Sequence, residues 1–163
     1  MINQTIHTMD LLVYLLGRPL EVEANMGNHH LKGIIEVEDT VEAYIRFSGS
    51  AACFYATTAF CLNSPPLIEI ICEKMSIRIE EMDVTICHRD GTVERPAFQR
   101  QEALGKKYWG TGHRDCIADF YQSLEATSTF ALELPQVLDT IKLVLAAYQS
   151  AKSREIITVN QEI

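Results

Sequence analysis

Asp39–Phe60 reads DTVEAYIRFSGSAACFYATTAF. Val41, Ala43, Ile45 and Phe47 alternate with Glu42, Tyr44 and Arg46, the period-two pattern of a strand with one apolar face. Ser48-Gly49-Ser50 interrupts the run, and Ala51–Phe60 returns as a second strand. Two such runs joined by a short Gly-containing turn predict an antiparallel hairpin, the strongest pairing signal in the chain.

Working outward, Leu20–Gly27 (LEVEANMG) also alternates and reads as a strand, followed by a polar connection through His29 and His30. Before it, a helix from Asn3 or Thr5 to Leu16 is stopped by Gly17 with Pro19 just beyond. After the hairpin come PLIEIIC (66–72), SIRIEE (76–81) and DVTICHRDG (83–91), the last ending in a turn at Asp90–Gly91. Thr92–Gly112 lacks periodicity and reads as a long loop bearing Tyr108 and Trp109. A helix starts near His113 with Ile117, Phe120, Tyr121 and Leu124 as its apolar stripe. Pro135 opens a last long helix whose expected inner face holds Leu138, Ile141, Val144, Leu145 and Tyr148, and EIITV (155–159) closes as a strand. A helix, a run of hairpin-linked strands and then two helices imply an α+β fold. The expected architecture is a predominantly antiparallel (mixed) open sheet with helices on one face. Several strands look apolar on both faces, which leaves the other face for oligomerisation.

At 163 residues the chain has room for one domain with a substantial core. It is 47% hydrophobic and 22% charged, the balance of an ordered globular protein. A net charge of −8 argues against nucleic acid or an anionic membrane as principal partner, since phosphate binding needs clustered Lys and Arg. No apolar run approaches the ~18 residues of a membrane span, and the N-terminus lacks the basic-then-apolar order of a signal peptide, so a cytoplasmic location is expected. The five cysteines, Cys53, Cys61, Cys72, Cys87 and Cys116, form no C-x-x-C. They read as reduced, buried thiols, and no metal-ligand spacing joins them to the histidines. No glycine-rich phosphate loop follows a strand, so the chain carries no recognisable nucleotide-cofactor site.

The chemistry concentrates at the start, in NQTIHTMDLLVYLLG (3–17). On a helix, Asn3, His7, Asp10 and Tyr14 fall within an arc of roughly 60°, while Ile6, Met9, Leu12, Val13 and Leu16 fill most of the rest. From spacing alone His7 is a polar-edge histidine without chemistry. Asn3 is either a helix N-cap or a site residue, Asp10 reads first as a structural partner, and Tyr14 as core. His113 opens its helix either with a local hydrogen bond or facing a pocket. Tyr108 and Trp109 either line a ligand pocket or cover the core or a subunit contact.

NQTIHTMDLLVYLLGRPLEVEA resembles the start of the C-terminal domain of the Gfo/Idh/MocA family of NAD(P)-dependent oxidoreductases. VEDTVEAYIRFSGSAACFYATTAF resembles the family's ED-T strand and hairpin, GTGHRDCIADFYQSL its Gly-His segment opening a helix, and VLAAYQSAKSREIITV its closing helix and strand. These segments occur in the family's order and span nearly the whole chain. Two departures stand out. The N-terminal Rossmann domain, with its glycine-rich loop and catalytic lysine, is absent, together with the strand that normally precedes the Asn3 motif. Cys72 and Met75 stand in CEKMSI where the family often has a glycine-bearing turn.

The resemblance implies that residues 1–163 are a single C-terminal substrate-binding and oligomerisation domain, a fragment of a longer enzyme. That enzyme would be a dehydrogenase acting on a hydroxyl of a sugar, sugar nucleotide or polyol such as inositol. It implies NAD or NADP in the intact protein, none bound to this fragment, no metal, and a homo-oligomer, dimer or tetramer, through the sheet face. It places His7 and Asn3 at the catalytic position and Gln4, Asp10, His113 and Tyr108 around the substrate. Histidine titrates near neutrality and suits transfer of the hydroxyl proton. Asn3 stands where many relatives have Asp, and an amide orients but cannot act as a base. The competing reading is a non-catalytic dimerisation or small-molecule-binding module.

Overall fold

In the computed structural model of the chain, the described residues are 5–58, 66–81, 83–98, 112–125, 129–130 and 132–159. Along the chain run α1 (Ile6–Leu16), β1 (Pro19–Gly27), β2 (Thr40–Phe47), β3 (Ser50–Thr57), β4 (Leu67–Ile71), β5 (Met75–Glu80) and β6 (Asp83–His88). β7 (Val93–Glu94), α2 (Gly112–Glu125), α3 (Leu134–Ser153) and β8 (Ile157–Thr158) follow. The fold is α+β with two antiparallel open sheets, ordered β3-β2-β1-β8 and β4-β5-β6-β7. They belong to two compact units, Met1–Thr58 with Thr127–Ile163, and Ala59–Ala126.

The first unit is built on the hairpin. Phe47 pairs with Ser50, so Ser48 and Gly49 alone make the turn, and Gly49 takes a φ of 83° that favours glycine. Val41, Ala43, Ile45 and Phe47 are all buried, as the alternation requires. They meet Val22 and Ala24 of β1, Phe54 of β3, Met9 of α1 and Leu143, Val144 and Ala147 of α3. α1 ends as expected: Gly17 has a φ of 82° and its N–H reaches the Val13 carbonyl at 2.8 Å. Met9 is fully buried, with Ile6, Leu12, Val13 and Leu16 packed around the same core.

Two expectations about the helices are corrected. Tyr14 is 83% exposed, not core, because it lies two turns beyond His7 on the side of α1 turned away from the sheet. On α3 the buried line is Thr140, Leu143, Val144, Ala147 and Ser150, while Ile141 and Leu145 are exposed. The helix is apolar nearly all round, and small side chains, rather than the larger leucines, let its backbone lie close to β1. Ser150, fully buried, exploits that closeness. Its hydroxyl accepts the Ala24 N–H at 3.0 Å and donates to the Glu155 carbonyl at 2.6 Å. Ala24 sits beyond the reach of β8, which pairs only with Glu21 and Val22, so the hydroxyl supplies the missing partner.

The turn after β1 is organised by a buried carboxylate. Asp39 is 5% exposed and accepts the backbone N–H groups of His29 (2.9 Å), His30 (2.6 Å) and Leu31 (2.7 Å) and the Thr40 hydroxyl (2.9 Å). Burial alone would raise its pKa; the amides of His29, Leu31 and His30 and the Thr40 hydroxyl outweigh it and hold the carboxyl far below the usual range. Asn28 braces the same loop, its amide donating to the carbonyls of Ile35 and Val37. His29 and His30 themselves are exposed loop residues.

The outer face of the first sheet is mixed: β3 shows Ala51, Cys53 and Tyr55 there, whereas β1 and β2 show Glu21, Glu23, Asn25, Glu42 and Arg46 beside Tyr44. Cross-strand rows run Glu21–Arg46–Ala51, Glu23–Tyr44–Cys53 and Asn25–Glu42–Tyr55. The thiols are not buried: Cys53, Cys72 and Cys87 are exposed and Cys116 half-exposed, all free, while Cys61 lies outside the described residues. Strand alternation places Cys53 on the same outward side as Tyr55.

The second unit is a meander. Rows Ile68–Ile79–Val84 and Ile70–Ile77–Ile86 give its sheet one apolar face, and Glu69–Arg78–Thr85 lies on the other. The CEKMSI turn closes without glycine. The Cys72 N–H reaches the Met75 carbonyl at 2.8 Å, and neither Glu73 nor Lys74 has a positive φ. The turn after β6 uses Gly91 at φ 88°, with Asp90 accepting the Thr92 N–H at 2.8 Å. In α2 the expected stripe Ile117, Phe120, Tyr121 and Leu124 is exposed, and no described residue of this unit is buried.

Two measurements follow. Ser150→Ala strands the Ala24 N–H and should cost about 1–3 kcal/mol in equilibrium denaturation, the usual penalty for an orphaned buried donor; unchanged stability would show that the tie is unimportant. Asp39→Asn should destabilise at neutral pH, and the gap should close on acidification. A depressed folded pKa stabilises above the ordinary aspartate value, about 3.9, and that stabilisation is lost as pH falls through the folded value. A gap constant from pH 7 to 2.5 would refute the role of the charge.

Candidate functional site

α1 carries the candidate chemistry, and α3 fixes its orientation. The Thr140 hydroxyl, buried in an apolar helix, donates to Asp10 Oδ1 at 2.6 Å. At the far end of α1 the Arg18 guanidinium meets Asp139 Oδ2 at 3.0 Å. These two ties, with Met9 in the core beside them, set the rotation of the helix. His7, three residues before Asp10, then stands exposed near the helix start. Leu11, Tyr14 and Leu15 share its outward side and are exposed as well.

Of the residues singled out from the sequence, the structure thus sets His7 and Asp10 on one helix of the first unit. Asp10 has a structural partner, Thr140, that the sequence alone did not reveal. The signal was available, since Thr140 interrupts an apolar helix at a position that only a hydrogen-bonded hydroxyl tolerates. Asn3, Gln4, Tyr108 and Trp109 lie outside the described residues. His113 is exposed in the first turn of α2 and belongs to the second unit.

A second feature lies across the sheet from the helices. An open depression of about 390 Å³ is lined by Glu23, Asn25, Glu42, Tyr44, Cys53 and Tyr55 on the outward rows. It faces away from α1 and so away from His7.

Neither feature has the geometry that holds a dinucleotide. Among the described residues the positive-φ glycines Gly17, Gly33, Gly49 and Gly91 serve a helix end, a loop and two hairpin turns. None stands at a strand-to-helix turn, where pyrophosphate is bound. Among the described residues no three His, Cys, Asp or Glu side chains cluster as metal ligands, and no helix is long and apolar enough to cross a membrane.

Comparison with solved structures gives the same fold across nearly the whole chain. An oxidoreductase from Agrobacterium radiobacter, solved with NAD+, L-tartaric acid and magnesium, superposes with a TM-score of 0.81 at 19% identity, over 96% of this chain and 48% of that one. A levoglucosan dehydrogenase, solved with NADH and L-sorbose, gives 0.81 at 20% identity over 98% and 50%. The WlbA dehydrogenase from Bordetella pertussis, solved with NADH and UDP-GlcNAcA, gives 0.74 at 20% identity over 98% and 46%. The chain therefore spans about half the length of the structures it matches. No curated protein matches its sequence. Residues 1–78 match the family model described as the GFO/IDH/MocA C-terminal domain. The first 78 residues, from α1 into β5, thus resemble the GFO/IDH/MocA C-terminal domain, and the fold is shared with these oxidoreductase structures over nearly the whole chain.

Proposed function

We propose that this chain is the substrate-binding and oligomerisation domain of an NAD(P)-dependent dehydrogenase that acts on a hydroxyl of a sugar, sugar nucleotide or polyol. The observation that carries the reading is the presentation of His7. It is an imidazole held outward by a helix locked at Asp10–Thr140 and Arg18–Asp139, in the segment that matches the family. The ligands of the matched structures, L-sorbose and UDP-GlcNAcA with NADH, are consistent with a carbohydrate substrate.

Removing hydrogen from a secondary alcohol separates a hydride from a proton. In this reading His7 handles the proton. Its ring nitrogen accepts it from the substrate hydroxyl and passes it to solvent, to which the exposed side chain has access. The hydride acceptor in this reading is a nicotinamide dinucleotide, the cofactor with which the matched structures were solved. Asn3 orients the imidazole or the hydroxyl, and Gln4 and Asp10 contribute substrate contacts. Asp10 also holds α1 in place through Thr140. The outward face of the first sheet, with Tyr44 and Tyr55, is the surface through which subunits associate.

In the intact enzyme His7→Ala should lower kcat by ~10²–10⁴, the usual loss for a general base, with little change in substrate binding. Asn3→Ala should be milder. Steady-state kinetics between pH 6 and 9 decides: near-normal turnover of the His7 variant across that range refutes the assignment.

A further inference from the structure

α1 is apolar nearly all round. Ile6, Met9, Leu12, Val13 and Leu16 pack into the core, yet Leu11, Tyr14 and Leu15 stand exposed on the other side. Apolar burial has no direction of its own. Packing therefore holds α1 against the core more firmly than it fixes the roll of the helix about its axis. Two polar contacts act on the roll, and they are unequal. Arg18–Asp139 is a surface pair with the Arg18 side chain 60% exposed, and pairs of that kind hold weakly. Thr140 is 3% exposed, and its hydroxyl meets Asp10 Oδ1 at 2.6 Å, the length of a charge-assisted O–H···O bond. A β-branched side chain is stiff at χ1, so the bond also has a defined direction.

We infer that Thr140 is a positioning residue for the proposed proton transfer: through Asp10 its hydroxyl sets the roll of α1, and with it the place of the His7 imidazole. The kinetic half of this inference rests on the reading of His7 as the group that takes the proton; the structural half does not. Asp10 and His7 are three residues apart on one helix, so whatever fixes the angle of the first fixes that of the second. Side-chain tips lie ~6 Å from a helix axis, so a roll of about 10° carries the imidazole ~1 Å. Misplacing a catalytic group by ~1 Å costs on the order of 10²-fold in rate. Thr140 itself is buried, and its effect on turnover runs through α1.

Thr140→Val keeps the shape of the side chain and removes the hydroxyl. In crystal structures of the chain, α1 of this variant should be rolled by about 10° or more from the parent, and α1 of Thr140→Ser should superpose on it. Kinetics use the intact enzyme with NAD+ or NADP+ and the compound it oxidises fastest among a panel of aldoses, polyols and UDP-sugars. There Thr140→Val should lower kcat about 10–100-fold at unchanged KM, and Thr140→Ser should keep most of the parental rate. In a His7→Ala background the further change Thr140→Val should cost nothing, because the hydroxyl acts only through the imidazole. A merely structural threonine would lower the yield of folded enzyme, followed by circular dichroism, but not kcat per folded molecule. Nor would its effect vanish with His7. Should Thr140→Val fail to fold, the paired change Asp10→Leu with Thr140→Val leaves neither polar group orphaned and carries the crystallographic comparison. An unrolled α1, or a loss of turnover as large without His7 as with it, overturns the inference. Full turnover by His7→Ala, or a parent that oxidises none of the panel, overturns the reading of His7 instead, and the roll of α1 then decides what Thr140 holds.

Discussion

The close approach of α3 to β1 governs the arrangement of the first unit. Thr140, Ala147 and Ser150 lie on the buried side of α3, and larger side chains there would hold the helix away from the sheet by the length of a leucine. Because the helix lies close, Ser150 can reach the Ala24 amide. Because it lies close, Leu143 and Val144 pack into the same core as Ile45 and Val22. Thr140 and Asp139, toward the start of α3, then stand at the height where α1 crosses, and they take hold of Asp10 and Arg18. The placement of His7 is thus the last link in a chain of contacts that begins with small side chains at the other end of α3.

Much of this was legible in the sequence where one pattern had one reading. Val41, Ala43, Ile45 and Phe47 alternate with polar residues, and a one-residue slip would bury Glu42 and Arg46, so register and orientation were both determined. Gly17 and Gly49 marked a helix end and a turn because each needs a backbone conformation that favours glycine. α3 was misread for the opposite reason: apolar residues surround it, so periodicity could not choose a face, and side-chain size pointed to Leu145 where small volume was what mattered. Tyr14 failed similarly, since an aromatic in a greasy helix says nothing about which side is turned to the sheet. The division of the strands into two sheets was not visible, because strand patterns specify faces but not which neighbours pair over long separations. At the candidate site His7 stood out by residue type, and its support did not, since Thr140 is 130 positions from Asp10 in the sequence.

The Glu38-Asp39-Thr40 segment shows how a short motif takes on a structural meaning. Asp39 gathers three consecutive backbone N–H groups and its neighbour's hydroxyl, so the loop from Asn28 onward is wound around a single carboxylate. Glu38, next to it, receives the Tyr148 hydroxyl of α3 at 2.5 Å. Thr40 continues into β2, where its hydroxyl lies 2.9 Å from that of Thr57 on β3. Three adjacent residues thereby connect a loop, a helix and two strands. Substituting Asp39 by an apolar residue of similar size takes the shared acceptor from the N–H groups of His29, His30 and Leu31, and the cost falls on those groups' environment rather than on the substituted residue alone.

The first unit is discontinuous along the chain, formed by Met1–Thr58 and Thr127–Ile163, whereas the second is the single run Ala59–Ala126. This difference orders events during folding. The meander β4 to β7 pairs only sequence neighbours through short turns, so its loops close at little entropic expense and its strands can pair as they emerge. The β1–β2–β3 meander can also zip early, but one side of it stays bare. Met9, Val22 and Ile45 remain in contact with water until the stretch around Leu143 has been made, far later in the chain, and β8 completes the sheet last. During synthesis the half-built first unit therefore exposes its apolar side for the whole time needed to make the second, and the C-terminal helix acts as the closing step that commits the chain to its native state.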